Sequence, residues 1–163
     1  MAAFFQHENV ELIILQYGGN SVPYLKNTDQ IEKFKQTIKK QITVFKQLKP
    51  TACILFIGPA DMATRQKGKM ATYPQMEDVV KALREASNES GIAFWDMYSA
   101  MGGRNSIVEW VKARPQLAGS DHIHFTPKGA NEISEILYKT FNLYYKFYRF
   151  RAGLEETTQQ TEK

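Results

Sequence analysis

Val10-Glu11-Leu12-Ile13-Ile14-Leu15-Gln16-Tyr17-Gly18-Gly19-Asn20 is a short apolar run, rich in branched residues, that stops at two glycines and an amide. It reads as a β-strand buried on both faces, followed by a sharp turn. Two further runs have the same character, residues 52–57 (Ala-Cys-Ile-Leu-Phe-Ile) and residues 92–95 (Ile-Ala-Phe-Trp), and each precedes a turn signal. Between the first two, Ile31, Phe34, Ile38, Ile42, Phe45 and Leu48 recur at steps of three and four behind Asn27 and Thr28, which can cap a helix N-terminus. Met76, Val79, Val80 and Leu83 repeat that period behind Pro74. Behind Thr126-Pro127 a further helix places Ile133, Leu137, Phe141 and Tyr144 on one side and Glu132, Glu135 and Lys139 on the other.

Strand and helix thus alternate, β-α-β-α-β-α. Such alternation predicts a parallel sheet with helices on both faces, because a parallel connection needs a crossover that returns each helix onto the sheet. Three strands make a small sheet. The first, residues 11–15, is too apolar for an exposed edge, so a further strand is expected beside it. Residues 1–151 read as one α/β domain and residues 152–163 as a disordered polar tail, since 155–163 contain no apolar side chain.

Composition fits that reading. The chain of 163 residues is 43% hydrophobic and 23% charged, within the range of one globular domain. Its longest apolar run falls far short of the roughly 20 residues a membrane span needs, so no span is predicted. The N-terminus lacks the basic and apolar regions of a signal peptide. The 21 basic and 17 acidic residues are interspersed, and Lys33, Lys35, Lys39, Lys40 and Lys46 are placed on a solvated helix face. No nucleic-acid partner is assigned from that pattern. Cys53 is the single cysteine, expected as a buried structural thiol.

Ligands of open parallel sheets bind outside the carboxyl ends of the strands, which directs attention to the loops there. After the first strand, Gly18 and Gly19 allow a tight turn that leaves the Asn20 amide at the rim. Before the last helix stands Gly119-Ser120-Asp121-His122-Ile123-His124-Phe125-Thr126-Pro127. A carboxylate three residues ahead of a histidine in a turn can accept the Nδ1 proton, leaving Nε2 as a base. Alone, each feature is ordinary turn chemistry. Together, an amide donor and a His-Asp pair on one rim make up most of an acyl-transfer site.

Tyr17-Gly18-Gly19-Asn20 resembles the Gly-x-Asn block of the SGNH (GDSL-like) serine hydrolases, and Asp121-His122-Ile123-His124 resembles their Asp-x-x-His block. Residues 57–61 (Ile-Gly-Pro-Ala-Asp), 94–98 (Phe-Trp-Asp-Met-Tyr) and 100–103 (Ala-Met-Gly-Gly) are similar to stretches of the bacterial envelope branch, which includes peptidoglycan O-acetylesterases. The resemblance spans residues 10 to 148. It implies a three-layer α/β/α sandwich, flavodoxin-like, with the N-terminal strands of the fold missing. It implies His124 as general base, Asp121 as its orienting partner and Asn20 as oxyanion donor, with Gly18 and Gly19 supporting the loop and no cofactor. The substrate implied is an acylated carbohydrate, and the compartment periplasmic or secreted in a bacterium.

The family's Gly-Asp-Ser block, which carries the nucleophile, has no counterpart here, and position 21, acidic in relatives, is Ser. Ser21 adjoins the oxyanion donor and would have to reach His124 from the wrong strand. Ser120 reads as a turn hydroxyl, and Ser99 and Ser106 have no base nearby in sequence. The expected partner is therefore an N-terminal segment carrying the Ser block. A non-catalytic fragment, a glycan-binding module and an O-acyltransferase are the competing readings.

Asp61 and His122 are candidates for the substrate side, although a turn-stabilising role for Asp61 is the blander alternative. His7 has no partner in sequence. The stretch 102–106 (Gly-Gly-Arg-Asn-Ser) lacks the Gly-Lys-Ser/Thr of a phosphate loop and is expected to cap a helix over 107–112. No His/Cys/Asp set has metal-ligand spacing, so no metal is predicted. The aromatic and basic side chains of 144–151 are expected to pack a helix end on the domain, with contact to a membrane or a glycan as the alternative.

Overall fold

The computed structural model describes residues 9–154. Strand β1 (Leu12–Leu15), β2 (Cys53–Ile57) and β5 (Ala93–Trp95) form a parallel sheet in the order β1-β2-β5. Leu12 stands opposite Cys53 and Ile57 opposite Trp95. Helices α1 (Thr28–Leu48) and α2 (Met76–Glu89) follow β1 and β2, and the chain continues through α3 (Met97–Ala100), α4 (Ser106–Lys112) and α5 (Pro127–Arg151). The expected caps are present. Asn27 accepts the Gln30 N–H at 3.0 Å, and Thr126 accepts that of Gly129 at 3.2 Å with Pro127 behind it.

Alternation along β2 divides the core. Ile54 and Phe56 face Ile38 and Ile42 of α1 and Met76, Val79 and Leu83 of α2. Leu55 and Ile57 face the other layer, with Ile107 of α4 and Ile133 of α5. The sheet is thus covered on both sides at its centre, as the alternation of strand and helix predicts. His7 and most of the polar tail fall outside the described residues, while residues 152–154 close α5, with Leu154 N–H donating to the Arg149 carbonyl at 2.9 Å.

Five expectations need correction. Beyond the three expected strands, residues 63–72 form an antiparallel hairpin of β3 (Ala63–Gln66) and β4 (Lys69–Thr72). Lys67 and Gly68 at its tip both have positive φ (48° and 84°), as the commonest two-residue hairpin turn requires. Strand β1, expected to be buried on both faces, lies at the edge of the sheet among the described residues, with Ile13 and Leu15 buried and Leu12 and Ile14 about half exposed. Cys53 is exposed, because it opens β2 before the helical layers close over the sheet. Lys35 is 9% exposed and lies between Glu85 and Glu89 at 2.9 and 2.6 Å, because α2 packs beside α1 at that face. The rings of Tyr144, Tyr145, Phe147, Tyr148 and Phe150 are exposed. A 25-residue helix is about 37 Å long, and β2 with its 5 residues spans about 17 Å, so the last turns of α5 run past the layer that could cover them.

The stretch 102–106 does lead into α4, which begins at Ser106 rather than 107. Its cap is not a side chain of that stretch. Asn105, with φ 66°, turns its carbonyl Oδ1 to the Thr72 N–H at 3.0 Å and ties the helix start to the hairpin instead.

Candidate active site

Strand β1 ends in a turn that only glycine can make. Gly18 has φ 102°, and a Cβ there would lie 3.2 Å from Cζ of Phe34. The chain then winds through a short 3-10 helix, Gly19–Tyr24, held by the Ser21 N–H to the Gly18 carbonyl at 3.0 Å. The Gln75 side-chain amide donates to the carbonyl of fully buried Val22 at 2.7 Å, which fixes this loop from α2. Asn20 is left exposed, its amide without a hydrogen-bond partner among the described residues. It borders a cleft of about 300 Å³ whose walls include Tyr17, Gly18, Gly19, Pro59, Met62 and Phe125. The Tyr17 hydroxyl is buried in the wall with no partner among the described residues, and burial raises its pKa.

The loop before α5 is built as a hairpin-like excursion. Thr126 N–H donates to Leu117 O at 3.0 Å, Gly119 N–H to His124 O at 2.7 Å, and His122 N–H to Gly119 O at 2.9 Å. Within it, Asp121 uses one oxygen for backbone and the other for the ring. Oδ1 accepts the N–H groups of Ile123 and His124 at 3.0 and 3.1 Å, while Oδ2 lies 2.8 Å from Nδ1 of His124. The imidazole therefore carries its proton on Nδ1, and Nε2 is the free basic nitrogen. The bond from the ring and the two backbone donors hold the Asp121 carboxyl down to about 2. The ring stands in solvent, its side chain 79% exposed.

His124 is not itself a wall of the cleft, but the next residue, Phe125, is. Gly18, Gly19 and Asn20 thus share the walls of this cleft with Phe125, the residue that follows the dyad. The other two candidates do not face it. Asp61 is fully buried, its carboxylate accepting from Thr72 Oγ1 at 2.9 Å and from the Ile107 N–H at 3.0 Å, so a substrate-side place is ruled out for it and the turn-stabilising alternative holds. Burial raises its pKa against those hydrogen bonds. His122 donates Nδ1–H to Ser120 O at 2.9 Å, and its own carbonyl accepts the Ala63 N–H at 3.1 Å, which fastens the dyad loop to the base of the hairpin.

Sequence reasoning missed the walls supplied by Met62 and Phe125. Phe125 was quoted only as part of the Asp-x-x-His segment, and Met62 enters through the unforeseen hairpin. Among the described residues no three His, Cys, Asp or Glu side chains gather closely enough to hold a metal ion. Nor is any described helix long and apolar enough to cross a membrane.

No family model matches the chain, and no curated protein matches it in sequence. Among solved structures it is similar to a peptidoglycan O-acetylesterase, with a TM-score of 0.77 and 23% identity over 89% of this chain. The chain has the α/β fold of that structure, a parallel sheet flanked by helices. It is also similar to a gut microbial diltiazem-metabolizing enzyme, with a TM-score of 0.54 and 20% identity over 78% of this chain. The chain spans 41% of the first of these proteins and 32% of the second.

Proposed function

We propose that the chain supplies the base, the orienting carboxylate and an oxyanion donor of a serine ester hydrolase that removes a small acyl group, acetyl in the first instance, from a carbohydrate. The observation that carries this reading is the 2.8 Å contact between His124 Nδ1 and Asp121 Oδ2, which leaves Nε2 free, one residue from Phe125 in the wall of the cleft that Asn20 borders. The similarity to a peptidoglycan O-acetylesterase supports both the ester and the glycan, and fits an envelope setting.

In the proposed reaction, His124 Nε2 takes the proton of a serine Oγ as that oxygen attacks the ester carbonyl. Asn20 Nδ2 donates to the oxyanion of the tetrahedral intermediate. His124 then returns the proton to the departing sugar oxygen, and the acyl-serine ester is hydrolysed by water that His124 deprotonates. Asp121 stays ionised throughout and holds the ring and its tautomer.

Among the described residues no serine hydroxyl bonds to His124, and the nucleophile is proposed to come from a further segment, the one expected to carry the Ser block. The half-exposed Leu12 and Ile14 on the unpaired edge of β1 support a further strand there, ending at the same rim as Asn20. The same missing contact favours a second reading for the chain by itself, a non-catalytic module.

A fluorophosphonate probe and acetyl-ester turnover test the proposal. The protein containing the Ser-bearing segment should label and turn over, and this chain alone should do neither. In the complete protein, Asn20→Ala should lose about 100- to 1000-fold in kcat while staying folded. Near-normal turnover by that variant would sink the assignment. Product analysis with a sugar acceptor separates hydrolysis from acyl transfer.

A further inference from the structure

The hairpin β3–β4 leaves the carboxyl end of β2 and stands on a rigid base. Buried Asp61 grips Thr72 at the end of β4 and Ile107 at the start of α4, and the Gln66 side-chain amide donates to the carbonyls of Ala71 and Thr72 at 3.1 and 2.8 Å. The Ala63 N–H joins this base to the dyad loop through His122 O. Four-residue strands carry the tip about 13 Å from that junction.

The charge on this device is of one sign. Arg65, Lys67 and Lys69 are exposed, and no acidic residue occurs between Asp61 and Glu77. The dyad loop and the start of α5 add exposed Arg114 and Lys128, and the one carboxylate there, Asp121, is occupied by His124. None of these five cations has a carboxylate partner among the described residues. Some cations elsewhere are matched: Lys35 and Lys39 hold Glu85 and Glu89, Arg104 holds Glu77, and Arg84 holds Asp96. Clustered cations without carboxylate partners raise a positive potential that concentrates anions around them.

We infer that the β3–β4 hairpin is a binding arm for an anionic glycan, with Arg65, Lys67 and Lys69 holding carboxylate groups of the polymer while the ester lies at the His124 rim. The inference rests on the proposed ester-hydrolase reading for the ester, and adds that the carbohydrate is charged. An arginine fork and two lysine ammonium groups along one strand pair suit carboxylates repeated along a chain, since each takes a separate anion.

Binding of this chain to hyaluronate oligosaccharides, with chitohexaose as the uncharged amino-sugar control, tests the inference without any turnover. Hyaluronate should bind more tightly than chitohexaose, and R65Q/K67Q/K69Q should weaken hyaluronate binding by about tenfold while leaving chitohexaose unchanged. Raising NaCl to about 0.5 M should erase the preference in the unaltered chain, a readout that does not depend on how the triple variant folds. Equal binding of the two glycans, binding of neither, or an unaffected triple variant would each overturn the inference. A failed fluorophosphonate or turnover test leaves these binding results untouched, so the two readings fail separately.

Discussion

The Asp121 carboxylate does two jobs at once: Oδ1 closes the turn on two backbone N–H groups and Oδ2 orients the ring of His124. Its carboxyl is held down to about 2 from 3.8, so the stability it contributes is present above about pH 4 and lost as pH falls through about 2. Thermal melts from pH 5 to pH 2 should therefore show a smaller acid loss in Asp121→Asn than in the unaltered chain. A second residue-scale prediction concerns Gly129, whose missing side chain lets α5 start against the preceding loop. A Cβ there would lie 1.8 Å from Leu117 O, a backbone atom that cannot move aside cheaply. Gly129→Ala should cost about 2 kcal/mol or more in urea unfolding, and an unchanged midpoint would contradict the packing described.

At the scale of elements, the hairpin, α4 and the dyad loop are one unit joined through Asp61. Asp61→Ala would strand the buried Thr72 hydroxyl and the Ile107 N–H, at about 2–3 kcal/mol. Because Ala63 holds His122, the same change should loosen the dyad loop, and the Asp121 carboxyl followed by carbon NMR should move up from about 2. If Asp121 titrates unchanged in a folded Asp61→Ala protein, the hairpin does not support the dyad. Helix α5 offers a graded test along its length. Ile133 is 8% exposed and packs on β2, whereas Tyr148 is 61% exposed. Ile133→Ala should cost about 2–4 kcal/mol, and Tyr148→Ser less than about 0.5 kcal/mol, by chemical denaturation.

Across the whole molecule the layers are unequally closed. β2 is buried on both faces, while β1 leaves Leu12 and Ile14 on an open side and α5 carries exposed aromatic rings beyond the sheet. Large apolar surface of this kind marks contact with another segment or chain. Leu12 and Ile14 lie on the edge strand that leads to Asn20, whereas Phe141 and Tyr144 of α5 lie beside β5 at the opposite edge, so the missing strand and the missing nucleophile form a single proposal at β1.

Much of this architecture was legible in the sequence because it depends on local chemistry. The three parallel strands follow from branched apolar runs, the long helices from residue spacing with Asn27 and Thr126 as caps, and the His124–Asp121 contact from a three-residue separation within one turn. What the sequence left open depended on residues distant in the chain. The hairpin lacks the usual Asn-Gly or Asp-Gly at its turn, having Lys67-Gly68, so its strands were hidden until Thr72 met Asp61 and Asn105 across 11 and 33 residues. Lys35 looked solvated until α2 brought Glu85 and Glu89 to it from 50 and 54 positions away, and Asp61 looked accessible until α4 closed over it. Periodicity reports which side of an element is apolar. Only the tertiary structure decides what covers that side, because burial is set by partners that the local pattern does not name.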